Sequence, residues 1–209
     1  MVSLVVGAVN TVPSLIFSLL VPNMLRKMDK MKLYKLNAVA VVVLSLIIWV
    51  AGYKSMILYI ILSTLRAVPL AIIGVLMFMF TPDCAEYGKF KTGIEAKGIT
   101  FAIQTFMVKL TAAISGAMGL FLLGLKSTGW ISVEVENFKQ LSESGVVQSE
   151  HALNVLWFVF VMVPAIGCLL AYIVWSFYKL NDKDVQIMAD YNVGRITREE
   201  AESQLSRKY

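Results

Sequence analysis

Carboxylates are missing where this chain is most apolar. Only 16% of its residues are charged, against 58% hydrophobic, whereas a soluble domain carries about a quarter charged. Five apolar runs, at about 2–21, 36–52, 56–80, 98–125 and 152–178, contain no Asp or Glu. Runs so long and so poor in charge exclude an ordinary water-soluble core and point to lipid as the solvent. Cysteine is scarce too. Cys84 sits in a polar stretch and Cys168 in an apolar run, with no Cys-x-x-Cys spacing, which argues against a disulfide framework and a thiolate metal site. The single histidine, His151, has no His-Glu-x-x-His motif, nucleophile elbow or phosphate loop for company, so an enzyme is not expected, nor a metal or cofactor. The first charge is Arg26, so the N-terminal run lacks the basic start of a signal peptide, and no small-residue cleavage site follows it.

The charge that is present is basic and lies beside the apolar runs, with a formal net charge of +5. No basic patch with interleaved aromatics suggests base stacking, so nucleic acid is not an expected partner. Residues 23–35 hold Arg26, Lys27, Lys30, Lys32 and Lys35 against Asp29 alone. Residues 81–97 read as a polar loop with Lys89, Lys91 and Lys97. The tail adds Lys179, Lys183, Arg195, Arg198, Arg207 and Lys208. The opposite side holds only Lys54, Lys126 and Lys139, and its longer connection, 126–151, is acidic through Glu134, Glu136, Glu143 and Glu150. The positive-inside rule then places the C-terminal tail in the cytoplasm and the N-terminus outside. A span that starts outside without a leader is the expected mark of a chain cut between helices. After Lys179 the sequence is polar and predicts a surface helix, with Gly194 as its break.

Two cations remain inside the runs. Arg66 and Lys109 each lie about ten residues into a span, near the midplane by helical rise. A central charge costs about 2.5–3.5 kcal/mol to insert, so it faces a bundle interior or a wet cavity and seeks a partner. Snorkelling is the alternative for Arg66, over a long reach. Around Lys109 the fourth span divides at about 100° per residue. Thr100, Gln104, Thr105, Thr111, Ser115 and Gly119 share its side, broken by Phe101 and Val108, and Ile103, Phe106, Met107, Leu110 and Ile114 fill the other. The small residues there, in Ala112-xxx-Gly116 and Ser115-xxx-Gly119, equally suit close helix packing. The first span repeats the pattern more weakly with Ser3, Gly7, Asn10, Thr11, Ser14 and Ser18, and the third places Tyr59, Ser63 and Arg66 on one face, with Pro69 a turn on. With no acid in any span, the partners of Arg66 and Lys109 are expected to be substrate, lipid, water, or acids on further helices.

The sequence around these residues carries a resemblance. Residues 83–93 read Asp-Cys-Ala-Glu-Tyr-Gly-Lys-Phe-Lys-Thr-Gly, and 98–109 read Gly-Ile-Thr-Phe-Ala-Ile-Gln-Thr-Phe-Met-Val-Lys. This resembles the glycoside–pentoside–hexuronide:cation symporter family, melibiose carrier-like members of the major facilitator superfamily. That family shows an acidic-x-x-acidic-Tyr-Gly segment between helices ten and eleven, then a Tyr/Phe-x-x-Gln-Thr-x-x-x-Lys run on helix eleven. Gly-Ala-Val-Asn (7–10) with Pro22 and a basic loop is similar to helix eight and its exit, and Tyr-Lys-Leu-Asn (178–181) to the end of helix twelve. The resemblance implies an all-α integral membrane protein. Its five transmembrane helices would be helices eight to twelve of twelve, a partial C-terminal bundle over 1–181, with a cytoplasmic tail over 182–209 in the cell membrane. It implies a substrate cavity served by Lys109, Gln104 and Thr105, joined here by Arg66 and Asn10, and a cytoplasmic gating segment at Asp83, Glu86, Tyr87 and Gly88. The coupling cation, H+, Na+ or Li+, is expected on the absent N-terminal helical bundle, and the other partners are the lipid bilayer and a sugar. One departure stands out: many relatives read Thr-Gly-x-Arg-x-Glu-Gly where this chain reads Thr-Gly-Ile-Glu-Ala-Lys-Gly (92–98), so Glu95 and Lys97 exchange signs. Two functions follow as expectations. The first is part of a sugar:cation symporter working by alternating access. The alternative is a truncated, non-transporting membrane fragment.

Overall fold

In hydrocarbon a backbone must close its own hydrogen bonds, so each apolar run folds as a helix. The computed structural model describes residues 2–131 and 145–209. Its helices are α1 (Val2–Leu25), α2 (Lys30–Ala51), α3 (Met56–Thr92), α4 (Lys97–Gly124), α5 (Glu150–Trp175), α6 (Asp182–Asn192) and α7 (Arg198–Gln204). A 3-10 turn, Lys126–Thr128, follows α4, and no strand occurs among the described residues. Helices α2 to α5 are long and apolar enough to cross a membrane, while α1 contributes a shorter described apolar run, Val9–Leu25. The expected all-α membrane class is thus borne out. Glu134, Glu136, Lys139 and Glu143 of the expected outer connection lie outside the described residues, as does the side chain of Ser3.

Two boundaries differ from the sequence reading. Helix α2 begins at Lys30, because the Asp29 side chain caps it by accepting from the Met31 amide at 2.8 Å. The basic loop expected at 23–35 therefore shrinks to 26–29. The larger correction concerns 81–97, expected as a loop. Helix α3 runs on through it to Thr92. Its 37 residues reach about 55 Å at 1.5 Å per residue, far beyond a hydrocarbon core of about 30 Å. Asp83, Glu86, Tyr87 and Gly88 accordingly stand on a helical extension outside the span. Charge had suggested a loop, but the stop signal comes only at Gly93. There the left-handed φ of +74° lets the Gly93 amide close on the Lys89 carbonyl at 2.8 Å. Lys89 and Lys91 in the last turn oppose the helix dipole's negative end.

Helix α3 is the hub. It packs α1 along one side and α2 along another, and α2 in turn packs α5, while α4 leans on α3. The buried core lies toward the end that carries the tail, where Val21, Leu33, Tyr34, Ala38, Ile72, Leu76 and Phe80 meet. Tyr34, Phe80, Trp175 and Tyr178 interlock there, with Phe80 and Trp175 ring centroids 4.4 Å apart. A second aromatic set, Trp49, Tyr53, Tyr59 and Trp157 with Phe158, marks the opposite end of the same helices. Two aromatic groups separated by apolar spans are the arrangement favoured at two membrane interfaces. Beyond the first set, α6 and α7 fold back onto the α3 extension around buried Phe90, Met188 and Ala201. Gly194, at φ +77°, separates the two tail helices.

Candidate functional site

Small and hydroxylated residues on α1 and α3 leave a groove between them of about 480 Å³. Asn10, Thr11, Ser14 and Ser18 line it from α1. Ala67, Ala71 and Gly74 line it from α3, with Phe78 beside them. Three hydroxyls are committed to their own helix: Thr11 donates to the Gly7 carbonyl, Ser14 to Asn10 and Ser18 to Ser14, each at 2.7 Å. They therefore offer oxygens that accept. Asn10 spans the two helices. Its side-chain oxygen accepts from the Thr64 hydroxyl at 2.7 Å and from Ser63 at 3.5 Å. Its amide NH2 makes no hydrogen bond among the described residues and remains available to the groove. The contribution of Thr64, Ala67, Ala71 and Gly74 escaped the sequence reading, although their spacing puts all four on one helical face.

The two expected span cations part company. Arg66 turns away from the groove into the interior between α2, α3 and α5, and is only 7% exposed. Its guanidinium donates to the Ser45 hydroxyl at 3.5 Å and lies 5.7 Å from the Phe160 ring centroid. Lys109 is exposed on α4. None of α4 is fully buried, because it packs mainly on one neighbour. Where α4 does meet α3, its polar face turns inward. Thr100 and Gln104 are the half-buried residues there, and the Gln104 amide reaches the Met77 carbonyl at 3.4 Å. Met77 adjoins Phe78 of the groove. Thr105 is exposed and donates to the Phe101 carbonyl at 2.9 Å. Asn10 thus meets α3 at Thr64 and Gln104 meets it at Met77, about 20 Å further along at helical rise, while Arg66 occupies another side.

The α3 extension is bound into a network of charged side chains. Lys30, at the start of α2, reaches Asp83 at 2.5 Å and Asp182, at the start of α6, at 3.3 Å. The Lys30 amide also donates to Asp182 at 2.9 Å, and the Asp182 amide donates to Asp29 at 3.0 Å. Three segments far apart in sequence are therefore tied by four side chains. Burial pushes the Asp83 carboxyl above the ordinary range, and Lys30 only partly offsets this. One turn on, Glu86 accepts from Lys97 at 2.7 Å and from the Asn192 amide at 2.8 Å. Burial raises its carboxyl, but these two donors outweigh burial and hold it below the ordinary range. The exchanged signs at 95 and 97 find partners here: Glu95 pairs with Lys89 at 2.8 Å, and Lys97 with Glu86. Tyr87 stacks edge-on against Tyr209, with centroids 5.9 Å apart. Gly88 is half-buried, with open space where a Cβ would stand.

The sequence reading assigned the tail no part in this assembly. Asp184 is 1% exposed and accepts from the Ser206 amide at 3.0 Å, the Ser206 hydroxyl at 2.5 Å, Tyr209 at 2.6 Å and Asn181 at 2.8 Å. Burial alone would raise its carboxyl; those bonds outweigh it and lower it. Arg198 lies 4.2 Å over the Phe90 ring and donates to the Phe90 carbonyl at 2.8 Å. Lys91 donates to the Tyr209 main-chain oxygen. One tail signal was legible: Thr197-x-x-Glu200 is a capping box, and the structure forms it. His151 serves structure too, bonding the Ser127 carbonyl at 2.8 Å. No cluster of metal-binding side chains occurs among the described residues.

A bundle of apolar helices with a mainly apolar groove edged by Asn10 and three hydroxyls, and a charged, tail-braced end, defines a multi-pass membrane protein of transporter type. The chain belongs to the family described as MFS/sugar transport protein, whose model matches residues 1–182. This bears out the glycoside–pentoside–hexuronide type of resemblance read from 83–93 and 98–109. The chain is 25% identical to a glucuronide carrier protein homolog of Escherichia coli over 85% of its length and 35% of that protein. It is 31% identical to an isoprimeverose transporter of Lactiplantibacillus pentosus, over 55% of this chain and 21% of that one. An uncharacterised 29.9 kDa protein of Pseudescherichia vulneris is 27% identical over 81% of this chain and 57% of that protein. The chain therefore spans between about a third and just over half of the length of the relatives with which it aligns most fully. Its family is one of transporters rather than enzymes.

Proposed function

We propose that this chain supplies the C-terminal bundle of a sugar:cation symporter that works by alternating access with an N-terminal bundle. The observation that carries the reading is the groove between α1 and α3, where Asn10 keeps free donors beside hydroxyl acceptors at the depth of the membrane. Sugars are bound by such alternation of donors and acceptors, and transporter sites lie near the midplane between two bundles. The relatives named for glucuronide and isoprimeverose support a sugar as the cargo. Lys109, exposed on α4 with no acid in any span of this chain, is the residue that answers carboxylates of the other bundle or the sugar itself. The coupling cation, H+, Na+ or Li+, binds those carboxylates. The basic excess beside the tail supports a cytoplasmic position for that end. There, Asp83, Glu86, Tyr87 and Gly88 act as a gating segment held by Lys30, Lys97 and the tail. Radiolabelled sugar uptake by the assembled two-bundle carrier is the test. Lys109→Ala should abolish accumulation against a gradient, and wild-type accumulation by that variant would overturn the assignment.

A further inference from the structure

A second hollow, of about 720 Å³, opens where the ends of α1 and α5 meet the start of α2 and the tail. Six cations surround it: Arg26, Lys27, Lys32, Lys179, Lys183 and Arg207. All six are exposed, and none enters an ion pair among the described residues. The acids at its rim are already engaged. Asp29 caps α2 and holds the Asp182 amide, Asp182 pairs with Lys30, and Asp184 is saturated by Ser206, Tyr209 and Asn181. The hollow therefore sets six cations against three carboxylates, one of them paired with Lys30, and this net positive charge converges on one space large enough for a phosphate-bearing group.

Its position selects the source of that group. The α5 span leads to this rim, and its end is apolar and bare: Val174 is 68% exposed, and Phe177, two residues past the helix, is 77% exposed. Tyr178 and Leu25 carry the apolar surface into the hollow itself. A free anion would use only the charged part, whereas a molecule with an anionic head and hydrocarbon tails uses both. Basic pockets beside span ends bind anionic lipid headgroups, and Lys or Arg residues near the membrane surface add to that attraction. We infer that this hollow is a binding site for the phosphate headgroup of an anionic phospholipid, whose chains lie along the exposed face of α5. Such a lipid would bridge the α1–α2 turn and the tail, two of the three segments joined at Lys30.

Native mass spectrometry of the purified chain in mild detergent tests this, with phosphatidylglycerol and phosphatidylcholine of equal chain length as probes. Phosphatidylglycerol should bind preferentially, and raising NaCl from 50 to 500 mM should weaken it. Removing three charges, as K27Q/K32Q/K183Q, should weaken binding by on the order of a hundredfold, about fivefold per residue. K54Q/K126Q, at the opposite ends of the helices, should bind as the unmodified chain does. Equal binding of the two lipids, insensitivity to salt, or undiminished binding by a triple variant with its helical circular dichroism intact would each overturn the site. So would displacement by inorganic phosphate at matched concentration, since that marks a free-anion site. If the triple variant loses its helicity, the salt titration on the unmodified chain decides alone.

Discussion

Replacing Lys30 by Met should loosen the α3 extension from the α1–α2 turn. The Lys30 ammonium and Asp83 carboxylate sit 2.5 Å apart, with side chains 13% and 8% exposed. Breaking such a pair by removing one partner costs about 3–5 kcal/mol, because the survivor stays desolvated. The lower end applies here. Asp83 is already pushed upward by burial, so without Lys30 it can take up a proton and shed part of the penalty. The second ion pair, to Asp182, adds little, since Asp182 is 35% exposed and such pairs are worth about 0–1 kcal/mol. Asp83→Leu alone should likewise destabilise by leaving Lys30 underpaired. The double variant Lys30→Met/Asp83→Leu should recover most of the loss, as apolar replacements of a buried pair are often neutral. Denaturant unfolding in mixed micelles, with amide exchange of 81–92 followed separately, gives the four corners of the cycle. A coupling energy of about 2–3 kcal/mol is expected by the same accounting. Strict additivity of the two single changes would refute the claim that this pair holds the extension in place.

Asp184→Ala strands the Ser206, Tyr209 and Asn181 donors and should cost about 2–3 kcal/mol of tail docking, read as new protease cleavage within 182–209; unchanged cleavage would discount the hub. Acid should release the same tail. Glu86 and Asp184 are held below their ordinary values, so their stabilisation is complete above the ordinary carboxylate range and is lost as pH falls through the lowered values. Asp83 acts oppositely, losing stability as pH rises from the ordinary range through its raised value, so amide exchange of the tail and of 81–85 should move in opposite senses. Arg66→Met removes a mid-span charge and should leave thermal stability equal or higher, given an insertion cost of about 2.5–3.5 kcal/mol; a marked drop in melting temperature would mean that the Ser45 and Phe160 contacts more than offset it.

Apolar length and the absence of acids settled the membrane class from sequence alone, because hydrocarbon admits only backbones that satisfy themselves. The motifs at 83–93 and 98–109 carried the family, and the Asn10 stripe marked one wall of the groove. Charge density misled at 81–92. Polar residues leave a membrane without leaving a helix, and only Gly93, with its positive φ, ends α3. Depth along a span was likewise legible for Arg66 and Lys109, but direction was not. A residue's height follows from 1.5 Å per residue, whereas its surroundings depend on which neighbours flank its helix. Packing α3 between α1 and α2 sent Arg66 toward Ser45 and Phe160 and gave Ala67, Ala71 and Gly74 to the groove, while α4, resting on α3, left Lys109 in the open. The Lys30–Asp83–Asp182 junction and the Asp184 hub join residues separated by up to about 150 positions, and no local pattern specifies such pairs. Composition and periodicity decide what enters lipid; only the tertiary arrangement decides which charges meet.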